Sequence, residues 1–184
     1  MVTADGTTYE LRPARPEDAE AMAALDSSFT TRTVYRVNVT ENGFTLSEVP
    51  VDPPLIKVFP EEEPDGDVED PDRPVFLAVD AGGALAGFVA VRYGSWNRRL
   101  TIWNIAVAPE HRGRGVGRAL MSRAEEFARE RRAGQIWLEV TNVNAPAIHA
   151  YRRMGFALCG LDVSLYDFTP DAGEHALFMS KTCP

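Results

Sequence analysis

The stretch Arg112-Gly113-Arg114-Gly115-Val116-Gly117 restricts what this chain can fold into more than any other. It follows an apolar run at 100–108 and leads directly into a helical pattern at 118–129. Strand, glycine turn and helix in immediate succession call for a mixed arrangement in which the backbone reverses tightly at a helix N-terminus. Glycine adopts positive φ there without strain and leaves no Cβ between the backbone and a ligand. Several amide N–H groups can then point at one anion, aided by the unpaired N–H groups and partial positive charge of the following helix. Arg112, Arg114 and Arg118 bring formal charge to the same place. A diphosphate suits such a cradle, and these residues taken alone also read as a plain turn.

Around this turn the chain alternates short strands and helices. Residues 9–13 read as a first strand, and Arg15-Pro16-Glu17-Asp18 opens a helix with proline in its first turn and acids at the positive end. Ala21, Leu25 and Phe29 form the apolar stripe of that helix. Runs 34–39 and 44–49 alternate on either side of Asn42-Gly43, a strong hairpin signal. Runs 75–79 and 85–93, joined through Asp80-Ala81-Gly82-Gly83, continue into 100–108 as an antiparallel meander. Trp103, Ile105 and Val107 alternate in that last strand, and the period of two places them in the core. The helix after the glycine turn sets Leu120, Ala124 and Phe127 against Arg123, Glu126 and Arg129, and ends near Gly134. A strand at 135–141, a short helix from Pro146 to before Gly155 and closing strands at 156–165 and 176–180 complete the chain. Ala147, Ile148 and Tyr151 share a face of the short helix. The fold class is α+β, one domain over residues 1–184.

Bulk properties remove several function classes. Cys159 and Cys183 make neither a disulfide framework nor a zinc spacing, and no metal site is expected. The first twenty residues lack an apolar core of signal-peptide length, and no run approaches the roughly 20 apolar residues of a membrane span, so a cytoplasmic protein without a membrane partner is expected. Net charge is −8, with Glu61, Glu62, Glu63, Asp65, Asp67, Glu69, Asp70 and Asp72 close together. Five prolines and glycines among them mark 60–74 as a flexible, solvated loop with too little apolar surface to offset its ordering entropy. As an alternative, such acids could form a rim that steers a cationic substrate. The same excess of acid argues against a nucleic-acid partner.

The cradle is not a Walker loop, because the lysine and Ser/Thr of that motif are missing. It does not fit a Rossmann unit, because antiparallel strands precede it. Together, Arg112-x-x-Gly115-x-Gly117 and Asn144-x-x-Ala147-x-x-x-Tyr151-x-x-x-Gly155-Phe156 resemble the acetyl-CoA motifs of GNAT N-acetyltransferases over residues 11–179. The resemblance implies a twisted, mostly antiparallel sheet flanked by helices, with splayed fourth and fifth strands and acetyl-CoA as co-substrate. It also implies that the segment Arg112, Gly113, Arg114, Gly115, Val116, Gly117 and Arg118 holds the diphosphate. Asn144 and Ala147 would meet the pantetheine arm, and a backbone N–H around Ile105, Ala106 and Val107 would face the developing oxyanion.

Phe29-Thr30-Thr31, Ala108-Pro109-Glu110-His111-Arg112-Gly113 and the run 139–156, together with the acidic loop, look like streptothricin (nourseothricin) acetyltransferases. That likeness implies acetylation of a β-lysine amine on a cationic antibiotic, by a monomer or homodimer. Those enzymes usually carry adjacent acids where this chain has Trp103-Asn104; these two residues and Asp162 are the candidate acceptor contacts. A peptide N-terminus or a polyamine is an alternative acceptor, and a coenzyme-binding module without catalysis is a third reading.

An acceptor ammonium of pKa about 10.4 must lose a proton before it attacks, which costs roughly 4.6 kcal/mol at pH 7. Glu139, in an apolar strand between Leu138 and Val140, is the candidate base, since desolvation raises a carboxyl pKa. The residues alone also admit a sheet carboxylate paired with an arginine. Tyr151, twelve positions on, is the candidate acid for the departing thiolate, a pairing similar to that of ribosomal-protein N-terminal acetyltransferases; a packed aromatic is the alternative. His149 lies on the outer face of the short helix and takes no catalytic role in this reading.

Overall fold

A computed structural model describes residues 2–4, 7–59 and 70–183, so most of the expected acidic loop, 60–69, lies outside the described residues. Ten strands and three α-helices are described: β1 (Val2–Ala4), β2 (Thr7–Pro13), α1 (Ala19–Ala23), β3 (Phe29–Thr40), β4 (Gly43–Lys57), β5 (Val75–Asp80), β6 (Leu85–Gly94), β7 (Arg99–Val107), α2 (Val116–Glu130), β8 (Gln135–Thr141), α3 (Ala145–Arg153), β9 (Ala157–Asp162) and β10 (Ala176–Thr182). Strand pairing is mostly antiparallel, with one parallel pair. The chain forms two compact units, one of Met1–Ser28, Phe59–Trp137 and Thr182–Pro184, the other of Phe29–Val58 and Leu138–Lys181.

In the first unit the strands follow the order β1, β2, β5, β6, β7, each antiparallel to the next. Val75 to Ala78 of β5 and Ala86 to Val89 of β6 are buried without a break, as strands covered on both faces require. One face is closed by Met22 of α1 with Ala14, Val75, Leu77, Phe88 and Ala106. The other is covered by α2, whose Leu120, Ala124 and Phe127 are buried as their spacing predicts. Phe76 meets Phe127 with ring centroids 6.0 Å apart. At Gly87 of β6 the neighbouring strand leaves no room for a side chain: a Cβ there would lie 2.5 Å from the Ala106 carbonyl oxygen of β7.

The expectation that Trp103, Ile105 and Val107 form core is corrected by a β-bulge. Ala90 pairs with Asn104 but Val91 with Ile102, so Trp103 is an extra residue that switches the faces of β7. Leu100 and Ile102 are buried before the bulge and Ala106 after it, while Ile105 and Val107 are half-buried and Trp103 is 48% exposed. The first helix is also shorter than its pattern suggests. A 3-10 turn at Pro16–Asp18 precedes five residues of α1, Met22 rather than Ala21 is the buried position, and Phe29 opens β3. Asp26 accepts the Ser28 N–H at 2.8 Å, a local turn that competes with helix. α2 starts two residues before its expected start and ends at Glu130, ahead of the end expected near Gly134; Arg132, at φ 56°, takes the left-handed conformation just beyond it.

In the second unit β3 and β4 pair along their length. Val39 opposite Phe44 and Thr40 opposite Gly43 set the register, so Glu41-Asn42 forms the turn and Gly43 opens β4, one residue from the Asn-Gly expectation. The remaining strands follow the order β8, β10, β9. Leu138, Val140, Ile148, Phe156, Leu177 and Met179 are buried in this unit. β9 stops at Asp162, short of the expected 165, because Asp162 Oδ1 accepts both the N–H and the hydroxyl of Ser164 and turns the chain.

Candidate active site

The glycine turn has the conformation that its composition demands. Gly113 at φ 74° and Gly115 at φ 80° are left-handed, a region that side chains with a Cβ adopt only under strain. Gly115 is the N-cap of α2 and offers no side chain to its first turn, leaving the leading N–H groups without an intrahelical acceptor. A Cβ built on Gly113 meets nothing within 4 Å, so the turn faces open space. Arg114 and Arg118 are exposed beside it. The residues present therefore fit a multiply charged anion.

Arg112 differs from expectation. Its Nε donates to the Val107 carbonyl at 2.8 Å, and its terminal nitrogens donate to the Ser28 and Asp26 carbonyls at 2.6 and 3.2 Å. The guanidinium fastens the turn to the end of β7 and to the segment before β3 instead of pointing its donors at an anion. Upstream, the bulge turns Trp103 outward, and the Arg92 guanidinium carbon lies 3.4 Å from its ring centroid. Asn104, next to it, is exposed.

The second unit carries the titratable candidates. Glu139 is half-buried on β8 between buried Leu138 and Val140. Tyr166, from the turns between β9 and β10, donates its hydroxyl to Glu139 Oε1. Tyr151 packs on α3 with its ring 5.9 Å from that of Phe156. Burial pushes the Tyr151 phenol well above its ordinary pKa, and the Glu139 charge adds to the shift. Tyr166 is pushed up in the same way, by burial first and then by its bond to Glu139. Asn144 caps α3, its side chain accepting the Ala147 N–H at 3.1 Å. The two expected pantetheine contacts are thus joined to each other.

Asp162 is engaged by Ser164, which holds its carboxyl below the usual range through the backbone N–H first and the hydroxyl second. His149 contacts Glu48 at 3.0 Å, Nε2 to Oε2. Among the described residues no group of three or more His, Cys, Asp or Glu side chains could hold a metal ion, and no helix is long and apolar enough to cross a membrane.

The sequence pattern of the acetyltransferase (GNAT) family matches residues 44–156. The chain belongs to that family. It is 62% identical to streptothricin acetyltransferase of Streptomyces lavendulae, with all of both chains covered. The crystal structure of nourseothricin acetyltransferase superposes with a TM-score of 0.90 at 65% identity, covering 96% of this chain and 99% of that one. A Bacillus anthracis protein solved in complex with acetyl coenzyme A shares the fold at a TM-score of 0.81 and 23% identity, covering 95% of this chain and 99% of that one.

In this GNAT acetyltransferase the described structure joins Glu139 to Tyr166, a residue that the sequence reading missed, and Asn144 to Ala147. It does not join Asp162 to either pair. Also missed was Lys57, 8% exposed, whose Nζ meets Asp171 and, at 2.6 Å, Glu174 Oε1. The second oxygen of Glu174 accepts the Thr141 hydroxyl at 2.5 Å. Burial alone would pull Lys57 down, but these two carboxylates hold it above its ordinary pKa. The signal for this cluster was a lone lysine at the end of an apolar run, with acids over a hundred residues away.

Proposed function

We propose that this acetyltransferase moves the acetyl group of acetyl-CoA to the β-lysine amine of a streptothricin-type antibiotic, a resistance reaction that draws on cytoplasmic acetyl-CoA. The observation that carries this reading is the 62% identity, over the whole of both chains, with the streptothricin acetyltransferase of Streptomyces lavendulae. The open, left-handed glycine turn supports the donor, since it offers bare N–H groups to a diphosphate.

In the proposed chemistry, the amides of residues 112–118 hold the diphosphate, while Arg112 keeps the turn in shape. Asn144 and Ala147 meet the pantetheine arm at the start of α3. Glu139 takes a proton from the acceptor ammonium, freeing the lone pair that bonds to the acetyl carbon. Backbone N–H around Ile105, Ala106 and Val107 stabilises the carbonyl oxygen as charge develops on it. The C–S bond breaks, Tyr151, kept protonated by burial, donates to the departing sulfur, and the second proton that the nitrogen sheds on becoming an amide restores the phenol. A thiol of pKa about 8.5 gives a tolerable leaving group, so Glu139 carries the larger burden. Trp103, Asn104 and Asp162 are the acceptor contacts in this reading, Trp103 by offering a ring face to a cation as it does to Arg92.

Mass spectrometry of streptothricin incubated with the protein and acetyl-CoA tests the proposal, and the expected product has gained one acetyl group on the β-lysine moiety. Unmodified antibiotic alongside an acetylated polyamine or peptide N-terminus would replace the acceptor. Coenzyme binding with no product on any amine would leave a binding module.

A further inference from the structure

The turns between β9 and β10 bring one side chain back onto the strand that holds the proposed base: Tyr166 donates its phenolic hydrogen to Glu139 Oε1. We propose that Tyr166 is a positioning residue for acetyl transfer, its hydrogen bond to Oε1 helping to fix the orientation of the Glu139 carboxylate. This rests on the reading above, in which Glu139 is the base.

A carboxylate on a flexible side chain samples several orientations, and proton transfer needs one of them. A hydrogen bond from a neutral phenol to one carboxylate oxygen is charge-assisted and restricts that sampling. Tyr166 can do this because its own segment is held. The Tyr166 carbonyl accepts the Thr169 N–H at 3.0 Å and the Thr169 hydroxyl at 2.9 Å. Farther along, Asp171 and Glu174 are fastened by buried Lys57 of β4, and Glu174 also binds Thr141, two residues from Glu139 on β8. Thr141 thus ties the loop carrying the phenol to the strand carrying the base, and Lys57 ties the same loop to β4. Titratable groups acting on this pair include Tyr151 beside Glu139, and Asp171 and Glu174 near Tyr166, with Lys57 bound to both acids. Burial and the Glu139 charge keep Tyr166 protonated, so it serves as a donor and takes no proton from the amine.

The test is Y166F in the full chain, with kcat and KM for streptothricin and acetyl-CoA measured across pH. The expected result is a kcat lower by about tenfold or more with KM for acetyl-CoA unchanged. The acidic limb of kcat/KM should move up by about one pH unit, because the carboxylate has lost a donor that favoured its charged form. A limb that stays in place, whatever happens to kcat, overturns the proposal, since a merely structural tyrosine would not set the base's titration. Should Y166F fail to fold, the unaltered protein labelled with ¹³C-tyrosine carries the test. The Tyr166 Cζ signal should follow an acid-side carboxylate titration that disappears in E139Q, and a signal indifferent to acid overturns the role. An unaltered protein with no turnover overturns the acetyl-transfer reading and this role with it, whereas active protein with an unshifted Y166F profile overturns this role alone.

Discussion

Arg12 and Asp18 meet through two parallel hydrogen bonds, each 2.7 Å, and the guanidinium holds the Asp18 carboxyl down at about 2. Since the folded pKa lies below the unfolded value of about 3.9, the pair contributes stability that is fully present above pH 4 and is lost as pH falls toward 2. With the Asp18 side chain 14% exposed, the contribution is about 2 kcal/mol. Urea titrations at several pH values should therefore show D18N losing about that much at pH 7 and losing the steep decline between pH 4 and 2. At this scale the sequence was legible wherever a residue's role is set by its immediate neighbours. The left-handed glycines of the turn are of that kind. Tyr166 was not legible, because its partner lies 27 residues back and its own segment has no periodicity to give it a face. The anchoring of the Arg112 guanidinium was not legible for a related reason: two of the three carbonyls that take its donors lie 84 and 86 residues upstream.

Among the elements, α2 and β8 were readable because one amphipathic period and one strand length account for them. The bulge in β7 was not, because it is a property of the pairing between β6 and β7 and of neither strand alone. A strict period of two carried through Trp103 assigns every later residue to the wrong face. The same pair of strands makes a sharp packing demand at Gly87. The missing Cβ would sit 2.5 Å from a backbone oxygen, and backbone cannot swing aside as a side chain can. G87A should destabilise the protein by about 1–3 kcal/mol or more, seen as a lower denaturation midpoint with the fold's far-UV signature retained.

On the scale of the whole molecule, the anion cradle belongs to the first compact unit, and Glu139, Tyr151 and Tyr166 belong to the second. The net charge of −8 favours approach of a polycationic acceptor and opposes that of the anionic donor. Salt shortens the Debye length from about 10 Å at 0.1 M to about 3 Å at 1 M. Raising ionic strength over that range should lower kcat/KM for streptothricin several-fold, chiefly through KM, without raising KM for acetyl-CoA. An equal salt response for both substrates would mean that charge does not steer the acceptor. The inserted residue in β7 has a practical side as well. An indole lifted out of a sheet and stacked under a guanidinium is a fluorophore supplied by the fold itself. Trp137 is half-buried and Trp96 is 88% exposed, so replacing Trp96 removes the most solvent-exposed background. Under the proposed reading, in which Trp103 contacts the acceptor, its emission should change as streptothricin is added, with no dye attached, and unchanged emission would remove Trp103 from the acceptor contacts.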